Sequence, residues 1–527
     1  MSFASFEFLA FLAILTLVYF IVPKKVQWIV LLLGSVVFYA FAGLVSFFFL
    51  FFAIVISFIT VQVLGKRHAA LKKYLEDTKD TLTKDERKAY RAKHKNGSLL
   101  IVCIGILLLT LSLVYVKYLS GFSFKNGVSF GSGAISFGST LLEVMGISYY
   151  TFISIGYMID VYREKAAVEK NFFRHALFVS FFPQLAMGPI SRYADTGEQL
   201  KTPHSFEAKE AWCGLLRILW GFFKKLVVAD AIAPAIGAIV GKQLGGIYFI
   251  LLCLFYSIRI YGDFTGGIDI VLGAAQILGI KLPENFNRPF SSKSTAEYWN
   301  RWHMTMGNWF TNYIFYPLSL TKTMQKLSKW GRAKLGVGVG KRLPVYTATI
   351  ITWLATGLWH GIAWNFVVWG LLNGVVILIS QELNPLYEKF RAKFPKLWNS
   401  APYQSFMAIR TFLLMSLIRV FDCYCDVPLT FNRFFSIFYT FNIADIWNGG
   451  IMNIKVTATQ YIIIAVGIVI MTAVSRLSIK RPLRETLWEK PILGNAVLAL
   501  LCIAILVFGS YGLGFDASAF IYGGTFN

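Results

Sequence analysis

Hydrophobic positions in this chain run in long unbroken blocks, without the alternation that marks a fold with one wet face. From Val26 to Gly65 forty residues pass without one Asp, Glu, Lys or Arg, which is two helical spans of about 20 residues with a turn near Ala42-Gly43. Further apolar blocks lie near 8–22, 98–116, 138–159, 243–262, 345–380, 456–475 and 491–513. The pattern predicts an all-α, polytopic integral membrane protein with roughly 10–12 transmembrane or re-entrant helices. A single domain is expected over 1–527, with additional spans in 400–527. The block at 8–22 has no basic leader and no small-residue cleavage site, and another span follows it, so it reads as a retained first helix. No internal repeat is visible, which lowers the case for a transporter built from duplicated halves.

Composition and charge sharpen this reading. The chain is 56% hydrophobic and only 15% charged, outside the range of ordinary soluble domains. A net charge of +24 raises the question of nucleic acid. The basic residues, however, sit between apolar blocks, at Lys24-Lys25, 66–95, 322–342 and 476–490, where the positive-inside rule puts cytoplasmic loops. No nucleic-acid partner is expected; the expected surroundings are a lipid bilayer. Ala89 then lies on the cytoplasmic side and Gly131 outside. The 66–95 segment reads as a cytoplasmic basic helical loop, a solvated hairpin anchoring topology. The six cysteines are scattered with no ligand spacing, so neither a metal site nor a disulfide framework is expected.

Two stretches break the apolar pattern. His175–Ser191 is short for a span and interrupted by Pro183, Gly188 and Pro189, so a broken or re-entrant helix buried in protein or lining a cavity is expected. In Tyr256–Gly267, Arg259 and Asp263 stand at i,i+4 inside an apolar region, where charges are costly unless paired. That spacing predicts an ion pair beside a water-filled cavity.

Of six histidines, His68, His94, His175 and His204 fall in or beside charged, loop-like sequence. His360 differs, standing within the 39 uncharged residues from Leu343 to Gln381. A helix entering near Val345 climbs about 22 Å by His360, less than the roughly 30 Å hydrocarbon core. An imidazole at that depth is either a satisfied core histidine or a proton acceptor, and Gly357 and Gly361 beside it permit close approach of backbone or ligand. For His303, Thr295 is the expected N-cap of an amphipathic interfacial helix, with Glu297 and Arg301 paired and Trp299 and His303 on one face.

Read in order, the chain carries the motifs Gly146–Phe152, Tyr157–Arg163, Phe182–Ile190, Gly221–Lys225 and Tyr261–Gly266, and above all Asn285-Phe-Asn-Arg-Pro-Phe290, Trp299-Asn-Arg-Trp-His303, Trp309–Tyr313 and Trp359-His-Gly361. Together they resemble the membrane-bound O-acyltransferases, in the bacterial branch of alginate O-acetyltransferase membrane subunits and teichoic-acid D-alanyl transferases. The C-terminal Ala519–Tyr522 is similar to the alginate branch. The resemblance implies that His360 is the catalytic histidine and His303 its supporting one. Trp299, Arg301, Trp302, Trp359, Asn365, Asp263 and Arg259 are then expected to bind substrate or support the site. One departure stands out: the family usually has Arg-Asp where this chain has Thr311-Asn312.

The implied reaction uses no bound cofactor and no metal. Its donor is acetyl-CoA or an acyl carrier thioester in the cytoplasm, and its acceptor a hydroxyl of an exported or cell-surface polysaccharide. The acyl group passes directly or through an extracellular acetyltransferase-type partner, at a bacterial plasma membrane. D-alanyl transfer to teichoic acid is the alternative within the family. A polysaccharide flippase or transporter, or a non-catalytic scaffold, is the alternative outside it.

Overall fold

A computed structural model describes residues 1–119, 144–440, 442–511 and 520. The first part of the 138–159 block, Gly131, and Ala519, Ile521 and Tyr522 lie outside them. Every regular element among the described residues is helical. Among the described residues, six helices are long and apolar enough to cross a membrane: Gly43–Asp77, Lys84–Leu119, Ile247–Ile277, Trp364–Glu382, Ala458–Leu477 and Pro491–Phe508. Large side chains stand bare along them, with Leu44 and Ile492 each 89% exposed. Apolar surface on that scale needs lipid to cover it, and the protein is a multi-pass membrane protein.

The chain packs as two compact units. The first, mainly residues 1–215 with 271–282, holds α1 (Phe6–Ile21), α2 (Gln27–Ala40), α3 (Gly43–Asp77), α4 (Lys84–Val114), α5 (Ile147–Tyr162), α6 (Phe172–Ser180), α7 (Phe182–Leu185) and α8 (Tyr193–Lys201). Gly43, in the left-handed region at φ 85°, makes the turn between α2 and α3. The 66–95 hairpin is a continuation of two spans, since α3 and α4 both run past the apolar blocks into it. Its turn is closed by a reciprocal cap between Thr83 and Glu86.

The broken stretch behaves as its prolines and glycines require. α6 stops at Ser180, α7 has Pro183 in its first turn, and the segment is buried to Ile190. A Cβ on Gly188 would lie 1.9 Å from the Pro183 carbonyl oxygen, so only glycine fits there. His175 departs from the loop-like environment read for it. It sits on α6, fully buried, with Nε2 2.8 Å from the Ser57 hydroxyl. Its flanking sequence is polar only on the side that precedes the helix.

The second unit, 216–270 with 283–516, is built on the end of α9 (Ala208–Phe222), α10 (Asp230–Gly241) and most of α11 (Ile247–Ile277). Then come α12 (Thr295–Trp299), α13 (Met304–Phe310), α14 (Tyr316–Ser319), α15 (Lys322–Leu335), α16 (Val337–His360), α17 (Trp364–Glu382), α18 (Asn384–Lys393), α19 (Pro395–Trp398), α20 (Ala401–Tyr424), α21 (Val427–Ser436), α22 (Ala458–Leu477), α23 (Leu483–Trp488) and α24 (Pro491–Phe508).

Between α9 and α10 the chain widens into a π-helical turn, Phe223–Ala229. This turn carries Lys224 and Lys225 inward, both buried. Lys224 meets Asp269, which also takes Arg217, and Arg217 reaches Glu284. Lys225 lies 2.7 Å from both Asp230 and Asp263. The ion pair for Asp263 is therefore drawn from the neighbouring π-turn rather than from Arg259 one turn back on its own helix, while Arg259 stands near enough to act on the charge of Asp230. A π-turn slips the register by one residue and re-aims side chains, which spacing alone does not reveal. Lys225→Met leaves two buried carboxylates uncompensated and is expected to cost about 3–5 kcal/mol. The expected readout is loss of folded protein in a detergent thermal-denaturation assay. Lys225→Met combined with Asp230→Asn and Asp263→Asn is expected to recover most of that loss; no recovery would show that the three charges are not coupled.

Candidate functional site

The site grows from a turn that the helical pattern does not foretell. α12 is only five residues long, capped by the Ser294 hydroxyl, which accepts from the Glu297 N–H. Thr295, expected as the cap, is the first helical residue. The helix expected to continue to His303 stops at Trp299. His303 adopts the left-handed conformation, φ 46° and ψ 53°, at the head of α13.

Tertiary hydrogen bonds make this turn. The Asn287 N–H donates to the Arg301 carbonyl and the Met304 N–H to the Asn285 carbonyl, each at 2.9 Å. The side-chain oxygen of Asn285 accepts from the Thr305 N–H at 3.2 Å and the Thr305 hydroxyl at 2.9 Å, and stands 3.0 Å from His303 Nδ1. Continuing the helix would forfeit this set, and a non-glycine residue in the left-handed region costs about 1–2 kcal/mol, which these bonds offset. His303 is consequently 1% exposed, buried in protein and not at a membrane surface as an amphipathic helix would place it.

His360 is the last residue of α16. The hairpin from α16 to α17 closes tightly because its seam is glycine. A Cβ on Gly357 would stand 2.4 Å from the Phe366 carbonyl oxygen, and one on Gly370 2.5 Å from that of Trp353. The turn seats the His360 imidazole edge-on to Trp369, ring centroids 4.8 Å apart, with Phe366 parallel at 6.1 Å and Trp359 at 4.6 Å. The Trp359 indole also meets His303 at 6.3 Å, and Phe264 of α11 packs edge-on to His303 at 4.9 Å. One indole thus touches both histidines.

An aromatic scaffold holds this arrangement. Trp299 Nε1 donates to the Asn373 oxygen at 3.1 Å, Asn373 in turn donates to the Trp369 carbonyl, and the Trp299 ring abuts Trp353. Trp302 is stacked on Tyr298, with the Arg419 guanidinium 4.3 Å above its ring. Arg419 also donates to the Tyr298 hydroxyl. Asn365 donates to the Phe421 carbonyl, tying α17 to α20. Arg301 is taken up by Glu297 and the Ser291 hydroxyl, and Asp263 by Lys225. Sequence reasoning passed over Asn285, Phe264, Trp369, Asn373, Lys225 and Arg419. Asn285, Phe264 and Lys225 lay inside quoted motifs, while Arg419 and Trp369 had no local signal.

Chemically, the site is a cluster of aromatic rings around two buried imidazoles. His303 belongs to none of the membrane-spanning helices, and burial pushes its pKa well below the ordinary histidine range. At neutral pH it is an uncharged ring able to accept a proton or a hydrogen bond.

Residues 162–333 match the model of MBOAT, the membrane-bound O-acyltransferase family. The matched stretch contains His303 and ends before His360. The chain is similar to a probable alginate O-acetylase of Azotobacter vinelandii, 32% identical over 286 residues, covering 53% of each chain. It is 29% identical over 285 residues to a peptidoglycan O-acetyltransferase of Helicobacter pylori, covering 49% of this chain and 51% of that one. It is 30% identical over 263 residues to a teichoic acid D-alanyltransferase of Bacillus subtilis, covering 48% and 62%. The chain thus spans about half the length of the first two of these curated relatives and somewhat more of the third.

Proposed function

We propose that this protein is an O-acyltransferase of a bacterial plasma membrane, moving an acetyl group from a cytoplasmic thioester to hydroxyls of an exported or surface polysaccharide. The observation that carries the reading is the convergence of His360 and His303 on the Trp359 indole inside a buried aromatic enclosure. In the reaction, the acceptor oxygen attacks the thioester carbonyl while His360 takes the hydroxyl proton. The carbon–sulfur bond then breaks and the proton passes to the departing thiolate. General-base assistance of this kind is worth about 10²–10⁴ in rate, and excluding water strengthens the electrostatics further. His303 orients the acceptor.

Trp299, Trp302, Trp359 and Asn365 wall the enclosure, whereas Arg301, Arg259 and Asp263 act through the packing around it. Acetate is favoured over D-alanine because two of the three relatives described are O-acetylating proteins by name. An extracellular acetyltransferase-type partner completes the delivery. Mild alkaline treatment of surface polysaccharide from strains with and without the gene tests the reading. Gene-dependent release of acetate is expected. Release of D-alanine would move the acceptor to teichoic acid, and loss of the polysaccharide from the surface altogether would favour a flippase.

A further inference from the structure

We infer that Asn285 is a positioning residue for acyl transfer: it fixes His303 in the Nδ1–H tautomer, so that the Nε2 lone pair is left to accept a hydrogen bond from the acceptor hydroxyl. The inference rests on the acyl-transfer reading above and assigns the acceptor's anchoring point within it.

The backbone N–H of Thr305 can only donate, and it points at the Asn285 side chain at 3.2 Å. The atom it meets is therefore the amide oxygen, since the –NH₂ group cannot accept. With that orientation fixed, the His303 Nδ1 at 3.0 Å from the same oxygen has to carry the proton. The Thr305 hydroxyl donates to it as well, at 2.9 Å. Three donors converge on one oxygen, while the Asn285 amide nitrogen, buried, has no hydrogen-bond partner among the described residues. A neutral imidazole protonated at Nδ1 has its lone pair on Nε2.

That Nε2 atom is buried and has no hydrogen-bond partner among the described residues. A buried acceptor left unmade costs free energy, and its retention beside Trp359 is accounted for by a ligand that donates to it. A hydroxyl is such a donor; a thioester has no donor of its own. α11 presents Phe264 to the ring, the segment before α12 presents Asn285, and α16 presents Trp359, with His360 beyond it. Burial is the one influence resolved on its protonation.

The test uses Asn285→Asp and Asn285→Ala in the full-length protein. The aspartate keeps an oxygen acceptor for His303 and Thr305 and loses only an –NH₂ group that had no partner. It also brings a negative charge to Nδ1–H, which favours the imidazolium and raises the pH at which the ring protonates. Activity that needs neutral His303 then disappears at a higher pH than in the parent. Asn285→Asp is expected to retain activity within about tenfold at alkaline pH with its acid limb moved up by about one unit or more, and Asn285→Ala to fall by about 10²-fold.

Because Asn285→Ala can fail by misfolding, solid-state NMR of histidine-labelled parent protein supplies an activity-free readout. The protein has six histidines, and His303 is assigned by difference against His303→Gln. A proton on Nδ1 of His303 is expected. A proton on Nε2, or an unmoved acid limb in active Asn285→Asp, overturns the inference. The NMR result stands even if the protein transfers no acyl group, so the two readings fail separately.

Discussion

Replacing His360 with alanine is expected to abolish surface acylation while the protein still inserts and accumulates. The imidazole ends α16, and the hairpin that follows closes on the backbone contacts of Gly357 and Gly370. Removing the ring deletes packing against Trp369 and Phe366 and leaves a small void, a cost of a few kcal/mol at most by analogy with other large-to-small core changes. His360→Gln fills most of the void and still lacks a base of suitable pKa. Both variants are therefore expected to be inactive, with His360→Gln at parental protein level. Parental ester content in a well-expressed His360→Gln strain would remove His360 from the chemistry and leave the scaffold or transporter reading.

How much of this was legible in the sequence depends on what fixes each feature. Lipid leaves a chain few options, because unpaired backbone groups are excluded from it. Long uncharged blocks therefore report helices directly, and Pro183, Gly188 and Pro189 report a break in a buried helical stretch. The 66–95 hairpin was equally plain, although its continuity with α3 and α4 was not. The expectation for His360 rested on a fixed helical rise from an entry near Val345, whereas α16 begins earlier, at Val337, and ends at His360.

Features set by distant partners were hidden. The arc from Ser294 to His303 carries a sound amphipathic pattern, yet Asn285 captures Thr305 and His303 and bends it into two short helices. Arg259 and Asp263 have the spacing of a pair, yet the π-turn at 223–229 delivers Lys225 to Asp263. His175 looked like a loop residue from its neighbours, and the fold buried it against Ser57. In each case a long-range contact overrode a local rule.

His303 is the place where that override matters most, and its removal gives the second large effect. His303→Ala is expected to lower acylation by about 10²–10⁴-fold without abolishing it, because the proton acceptor at His360 remains and only the acceptor's anchor is lost. The left-handed backbone at position 303 is held by the Asn287–Arg301 and Asn285–Met304 hydrogen bonds, so the turn is expected to survive the change. If both imidazoles serve one step, their losses are not additive. The double variant, His303→Ala with His360→Gln, is then expected to be no less active than His360→Gln alone. A His303→Ala protein that accumulates normally and acylates at the parental rate would show that the contact with Trp359 is packing, and that His360 works without a second histidine.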